Sequence, residues 1–350
     1  MNYIMFIFMA IAIADILIFD CRYEYGNQLK KGIAATGELI LCMAGLMCCA
    51  PLLAKVLFKI FSPIFRILHI DTAMIGGMFF ATDMGGLSIV KQMTNDSDIH
   101  LLSGVFLSST LGCILIFIIP VLFKMCREDQ KEEVSKGILC GITASFICPV
   151  ISGLCMGIPI FKILKCLIPV FIFIAFIVVC MLKYLNGLLK VLLKFAKIVE
   201  GISLIFLFFA SLDTILGIRV IKGMDALNTK LVLIAQIGIV LMGAYPMVYF
   251  ISKKFGKGIH WIAKQLHISD TSVSAMIASL ANPIPAFEMI GSMESKGVVV
   301  STAFICGATA CLGDYVGFLT SLYPSAIGSM IIGKICTGLA ALALTLKIAH

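Results

Sequence analysis

Apolar stretches of about 20 residues recur along the whole chain, and this length is what a helix needs to cross the hydrocarbon core of a bilayer. Examples lie at 171–182, 202–212 and 326–343 with their flanking residues. Charged residues make up only 13% of the 350 positions, whereas hydrophobic residues make up 61%. A soluble globule needs about twice as many charges to cover its surface. Most of the outer surface is therefore predicted to face lipid.

The apolar segments are predicted to be helices, because backbone polar groups cannot stay unpaired in lipid. The stretch 187–200 carries lysines at helical spacing and is expected to lie in the membrane interface. We expect an all-α, polytopic transmembrane bundle in which residues 1–350 form a single transporter domain. The predicted segments lie near 3–20, 37–57, 72–92, 100–123, 136–158, 163–184, 200–218, 230–251, 271–291, 297–321 and 324–347.

Cysteine usage and net charge argue against several other classes of protein. The 14 cysteines are scattered through apolar segments, with no CxxC pair and no histidine spacing typical of zinc. They are expected to pack as small hydrophobic residues. The net charge of +8 comes from Lys and Arg in short loops, which is the usual orientation signal of a membrane protein. No cofactor, metal site or nucleic-acid partner is predicted.

The chain contains a weak internal repeat, with repeat 1 at about 37–123 and repeat 2 at about 230–321. A basic amphipathic stretch ends at His69-Ile70 in the first half and at His267-Ile268 in the second. Ser103 matches Ser301 at nearly the same offset of about 200 residues. Roughly 70 residues are duplicated in order, which favours the two-fold architecture common among transporters.

Two matching segments, 72–92 and 271–291, contain residues that break membrane helices. Proline removes a backbone donor, and glycine allows close approach of a backbone or a ligand. Broken helices at corresponding places in two halves point to a binding site near the midplane. If the two segments are re-entrant, the chain has nine spans and inverted repeats; if each crosses once, it has eleven spans and parallel repeats. The helix-breaking residues favour inversion. The predicted helix-break or gating residues are Gly85, Gly86, Pro283, Pro285, Pro246 and Gly313.

Acidic residues inside apolar segments are the main candidates for a solute site, because burying each carboxylate in a membrane is costly. Asp83 lies in Ala-Thr-Asp-Met-Gly-Gly, with Thr82 beside it, and Asp314 lies between glycines and aromatic residues. Each is predicted to contact the solute or a gate. The alternative is a structural carboxylate that caps a broken helix.

Other polar residues in apolar segments are weaker candidates for substrate binding. Asn282 could bond a substrate or cap the helix before Pro283. Tyr245 could offer its ring to a cation, although packing beside Pro246 is the simpler interpretation. Glu288 and Gln236 complete the candidate set.

No enzyme motif is present, and no catalytic residue is predicted. The sequence lacks HExxH, GxSxG and Walker A patterns. Leu312-Gly313-Asp314 resembles part of the Gly-x-Gly-Asp motif of intramembrane aspartyl proteases, with Asp83 as the second carboxylate. Cys311 stands where that motif has its first glycine. This remains a remote alternative.

The sequence resembles the ethanolamine permease family EutH. Four blocks in the same order carry the resemblance: Asp-Met-Gly-Gly at 83–86, Gly-Ala-Tyr-Pro-Met-Val at 243–248, Leu-Ala-Asn…Ile-Pro…Phe at 280–287 and Leu-Gly-Asp…Gly-Phe at 312–318. The chain departs from the family pattern at Thr82, where a cysteine is expected, and at Pro283, where a second asparagine is usual.

The resemblance implies facilitated uptake of ethanolamine through the bacterial cytoplasmic membrane, in contact with lipid, for an ammonia-lyase pathway inside the cell. An ammonium ion is nearly excluded from hydrocarbon, and a buried carboxylate lowers that barrier. Asp83, Asp314 or both are expected to play this part. An H⁺- or Na⁺-coupled symporter of a small cationic or polar solute is the alternative. Ion coupling and assembly into a homo-oligomer are left open by the sequence.

Overall fold

The computed structural model describes residues 2–254 and 256–348, and these residues form helices joined by turns, with no strand among them. Within this part of the chain, six helices are long and apolar enough to cross a membrane. The apolar helices Tyr3–Phe19 and Ser295–Ala308 are shorter. The fold is therefore all-α and multi-pass, as predicted.

The first half of the chain begins with a helical pair and then alternates short and long helices. Helix α2 passes through a wide π turn, Ile40–Ala44, directly into α3. Much of α6 is also π-helical, from His100 to Gly112. The helices are α1 Asn2–Phe19, α2 Tyr25–Leu39, α3 Gly45–Ile67, α4 Met74–Phe79, α5 Leu87–Met93, α6 Ser97–Met125, α7 Lys131–Ala144 and α8 Ile147–Cys155.

The second half begins with a very long helix that kinks at Tyr184, where the backbone leaves helical geometry. The predicted interfacial stretch 187–200 lies in this helix beyond the kink, and its three lysines are exposed. The helices are α9 Ile160–Leu216, α10 Leu227–Lys254, α11 Gly256–Leu266, α12 Asp270–Ser279, α13 Pro283–Ile290, α14 Ser295–Ala308, α15 Asp314–Leu322 and α16 Ile327–Ile348.

Helices α4 and α5 fold back against each other, and we call them hairpin 1, residues 71–94. At its base, the Thr94 hydroxyl donates to the Asp71 carboxylate at 2.7 Å. Further in, a Cβ on Gly76 would lie 2.7 Å from a methyl group of Val90. Both ends of the hairpin therefore lie at the same side of the bundle, with extended backbone at Phe80 and Ala81 forming its tip.

Helices α12 and α13 form a second such unit, hairpin 2, residues 269–294. Its base is closed by the Ser269 N–H, which donates to the Glu294 carboxylate at 2.8 Å. Its tip is the bend at Leu280–Asn282, where Asn282 is extended and begins α13. The predicted segments 72–92 and 271–291 are thus each built from two short helices.

Helix α6 begins beside the base of hairpin 1 and ends beside the base of hairpin 2. At its start, Asp96 and Asp98 bind the Lys162 ammonium next to the base of hairpin 1. Just beyond its end, Arg127 donates to the carbonyl of Gly291, and Gln130 donates to that of Ile290, both in hairpin 2. The 29 residues of Ser97–Met125 extend over about 40 Å, enough to cross a bilayer.

The ionic cluster beside hairpin 1 is favourable for Asp96 despite its partial burial. Burial opposes ionisation of this carboxyl, but hydrogen bonds from the Lys162 ammonium and the Asp98 N–H outweigh it and hold the pKa of Asp96 below its usual value. The carboxylate is therefore charged throughout the physiological range and keeps Lys162 bound.

Candidate functional site

The tips of the two hairpins meet at a cavity of about 60 Å³ inside the bundle. Helix α2 and its π turn form one wall, α6 a second, and the link between α14 and α15 a third. The lining residues are Ala35, Leu39, Met43, Ala81, Asp83, Met84, Cys113, Phe117, Asn282, Pro283, Ile284, Thr309, Ala310, Asp314 and Tyr315. Three predicted substrate-binding residues, Asp83, Asn282 and Asp314, are thus brought together although about 230 residues separate the first from the last.

Asp83 reaches the cavity because the backbone turns sharply beside it. Gly85 has φ +93°, a left-handed conformation that favours glycine, and it lies against Leu46 of α3. Thr82 is buried and donates to the carbonyl of Val105 at 3.1 Å, which fixes the tip of hairpin 1 on α6. Thr82 therefore positions Asp83 and does not itself line the cavity.

Asp314 lies at the start of α15, where the α14–α15 link runs alongside the tip of hairpin 2. The N–H groups of Ala310 and Leu312 donate to the carbonyls of Ser279 and Leu280, each at 2.7 Å. Gly313 makes this approach possible, because a Cβ there would lie 2.0 Å from the carbonyl oxygen of Ala281. Backbone contact between these two interrupted segments places the Asp314 carboxylate at the cavity.

The Asp314 carboxylate has one oxygen bound and one free. Asp314 is only 6% exposed. Oδ2 accepts a hydrogen bond from the Asn282 amide at 2.9 Å, whereas Oδ1 has no partner among the described residues. A buried acceptor without a donor costs free energy, so this oxygen is ready to receive a donor from a bound solute.

Asn282 performs a structural task as well as facing the cavity. Its Oδ1 accepts from the N–H of Ile284 at 2.9 Å, which caps α13, and Pro283 occupies the first helical position. Its Nδ2 binds Asp314. The amide therefore has a cap bond on one side and a carboxylate on the other, which fixes its orientation.

The other predicted site residues lie away from the cavity. Gln236 accepts from the Ser321 hydroxyl at 2.5 Å, and Glu288 is exposed on α13. Tyr245 packs against the core of the bundle, and α10 continues as a helix through Pro246. Among the other predicted helix-break residues, Gly86 packs at the tip of hairpin 1 and Pro285 lies in the first turn of α13.

Lys334 was not among the residues predicted from the sequence, yet it lies beside this site. It is fully buried in α16, its ammonium donates to the carbonyl of Ser109, and the ammonium is 4.7 Å from the centroid of the Tyr315 ring. The sequence carried the necessary signal, because Lys334 is the one charged residue between Ile327 and Leu346. An ionisable residue inside an apolar span points to function by itself.

Comparison with known proteins identifies relatives over nearly the whole chain. The family profile described as "Ethanolamine utilisation protein, EutH" matches residues 1–348. A probable ethanolamine permease EutH of Listeria monocytogenes is 32% identical over 99% of this chain and 93% of its own length. The Salmonella typhimurium protein of the same name is 30% identical over 99% of this chain and 94% of its own length.

A third relative, the uncharacterized protein YxeR of Bacillus subtilis, is 32% identical over 92% of this chain and 87% of its own length. No solved structure matches the chain. The Listeria and Salmonella relatives are named as probable permeases, which describes membrane transport and not catalysis, in agreement with the prediction that the chain is no enzyme. The match of the family profile over residues 1–348 confirms the resemblance carried by the four sequence blocks: the chain belongs to the EutH family of ethanolamine utilisation proteins.

Proposed function

We propose that this permease carries ethanolamine, as its ammonium form, across the bacterial cytoplasmic membrane by facilitated diffusion. The observation that carries the proposal is the free Oδ1 of Asp314, a buried acceptor in the cavity that Asp83 also lines. An ammonium ion loses its water shell on entering the bundle, and a carboxylate oxygen replaces part of that shell.

The size of the cavity supports a small solute. One water-sized group needs roughly 10–15 Å³ of such space, so a cavity of about 60 Å³ holds about four to six of them. Ethanolamine consists of about four groups of this size, namely a hydroxyl, two methylenes and an ammonium, and it therefore fits the cavity. Larger solutes would need the walls to move apart.

In this proposal the polar groups of the cavity bind both the ammonium and the hydroxyl of the solute. Asp314 and Asp83 bind the ammonium, and Asn282, already held by its bonds to Ile284 and Asp314, lies beside the hydroxyl. The apolar walls at Met84 and Phe117 exclude water and strengthen these contacts. Tyr245 lies outside the cavity, and the proposal therefore assigns it no part in binding.

We further propose that the two repeats are inverted and open the site to each side in turn. Matching residues support the duplication: His69 and His267 both have positive φ, of 53° and 54°, at the ends of the amphipathic helices. The Ser103 hydroxyl donates to the carbonyl of Ala73, and the Ser301 hydroxyl donates to that of Ser272, so the same bond recurs in each half.

The position of the hairpin bases supports inversion. They adjoin opposite ends of α6, a helix of membrane-spanning length, so the two hairpins enter from opposite faces and meet at their tips. Rocking of one repeat against the other around such a site is a common mechanism of transport.

A second candidate, cation-coupled symport, is favoured by one specific observation: two carboxylates line one cavity. One of them would then bind H⁺ or Na⁺ and the other the solute. Uptake into proteoliposomes that needs no ion gradient would eliminate coupling. The intramembrane protease alternative gains no support from a family of permeases.

The test of the proposal is uptake of labelled ethanolamine at pH 6 by the purified protein in proteoliposomes. We expect Asp314→Asn to reduce uptake by about 100-fold or more, because the solute ammonium would then be buried without the carboxylate that pairs with it. Glu288→Gln, which changes an exposed acid in the same half of the chain, is the matched control and should transport normally. Normal uptake by folded Asp314→Asn would remove Asp314 from the site.

A further inference from the structure

Lys334 is an unusual residue for the middle of a membrane helix. None of its surface is exposed (0%), and α16 holds it against α6 through the bond to the Ser109 carbonyl. A lysine is almost never fully buried unless a partner compensates for its lost hydration. The carbonyl and the Tyr315 ring, 4.7 Å from the ammonium to the ring centroid, supply part of that compensation.

Lys334 also lies close to the cavity. Tyr315 lines the cavity, and the Lys334 ammonium lies over the Tyr315 ring, so Lys334 is directly next to a residue that lines the solute site. Asp83 and Asp314 are the carboxylates that line the same cavity as Tyr315.

We propose that Lys334 is a fixed countercharge that restricts the permease to solutes with one positive charge. This inference rests on the proposed function and names the substrate class of that site. In the proposed solute-bound state, where the ammonium favours ionised carboxylates, Asp83 and Asp314 are ionised and Lys334 is protonated, so one negative charge is left for the solute. One ammonium neutralises the site, whereas a second ammonium on the same solute would leave an unpaired positive charge away from water, which is costly.

The alternative is that Lys334 serves packing alone, through its bond to Ser109. A neutral side chain of similar length would then leave the charge preference of the site unchanged. Lys334→Met removes the charge, and Lys334→Arg keeps it. Lys162→Met is the matched control, because Lys162 lies at the start of α9 and binds Asp96 and Asp98 outside the cavity.

The experiment compares two competitors of labelled ethanolamine uptake in proteoliposomes at pH 6: a short monoammonium ion and a diammonium ion of the same chain length. We expect the wild type to be inhibited at least about tenfold more weakly by the diammonium ion. The measured ratio is the inhibition constant of the diammonium ion divided by that of the monoammonium ion. In Lys334→Met this ratio should fall by about tenfold or more, a change of about 1.4 kcal/mol in relative binding. Lys334→Arg and Lys162→Met should keep the wild-type ratio.

An unchanged ratio in Lys334→Met, or equal inhibition of the wild type by both ions, overturns the inference. If Lys334→Met does not fold, Lys334→Gln is used in its place. The wild type alone also tests the inference, because equal inhibition by the two ions contradicts it. Absence of ethanolamine uptake by the wild type would instead reject the proposed function. The same ratio can then be read from thermal stabilisation of the purified protein by each ion.

Discussion

Buried carboxylates in this chain differ in what their oxygen atoms bind. Asp15, 2% exposed, has both oxygens occupied: Oδ1 accepts from the N–H of Tyr23 and Oδ2 from that of Gly26, each at 3.0 Å. Asp314 has one oxygen bound to Asn282 and one without a partner among the described residues. The same residue type in an apolar stretch is therefore a cap for the α1–α2 turn in one place and an open acceptor in the other.

This difference predicts separate consequences for stability and transport. Asp15→Ala should destabilise the protein by about 1–3 kcal/mol, because the buried N–H of Gly26 and the partly buried N–H of Tyr23 lose their acceptor. Its melting temperature in detergent should fall, while ethanolamine uptake per folded molecule stays normal. Arg22→Ala, at an exposed position in the same turn, is the control. Loss of uptake with an unchanged melting temperature would contradict the structural role of Asp15.

At the scale of elements, close backbone contacts hold the hairpin tips in place. In the first half, a Cβ on Gly112 of α6 would lie 2.2 Å from the carbonyl oxygen of Phe80. In the second half, Gly313 approaches Ala281 in the same way. The extended residues at each tip therefore find polar and packing partners on the next helical segment, which is what allows non-helical backbone to lie inside a membrane protein.

Gly112→Ala should displace the tip of hairpin 1, because the contacting atom is backbone oxygen and cannot move aside cheaply. We expect ethanolamine uptake to fall by about tenfold or more, as a small misplacement of a binding group is costly. Gly201→Ala tests the same change in a helix where nothing lies within 4 Å of the added Cβ, and it should be neutral or slightly stabilising. Equal uptake by the two variants would show that the Gly112 contact does not position the site.

At the scale of the whole molecule, the proposed inversion places the bases of the two hairpins at opposite faces of the membrane. Exposed Ser97 lies beside the base of hairpin 1, and exposed Ser295 lies beside the base of hairpin 2. In a variant without the native cysteines, Ser97→Cys and Ser295→Cys should react with a membrane-impermeant maleimide from opposite faces of the membrane. Ser292→Cys should react from the same face as Ser295→Cys. Labelling of Ser97→Cys and Ser295→Cys from one face would reject the inverted arrangement.

The sequence by itself determined that this protein lies in lipid and that it is built of helices. Too few charges for a soluble surface, together with apolar stretches of membrane-spanning length, require helices in lipid whatever the detailed packing. The four blocks of family residues also lie along the chain in order, so family membership needed no coordinates. Asp83, Asn282 and Asp314 stood out for the same reason: polar groups inside apolar segments are costly wherever they pack.

Only the tertiary structure decided which of the candidate residues share a cavity. Asp83 and Asp314 line one cavity because the tip of hairpin 1 packs on α6 at Gly112 and the α14–α15 link packs on hairpin 2 at Gly313. No linear pattern displays these contacts. Tyr245, Gln236 and Glu288 have the same local signal but face elsewhere. Lys334 shows the reverse case, since its identity was visible in the sequence while its position over the Tyr315 ring was not. The local sequence determines the free-energy cost of burying a polar group in lipid. Long-range packing determines which partner compensates for that cost.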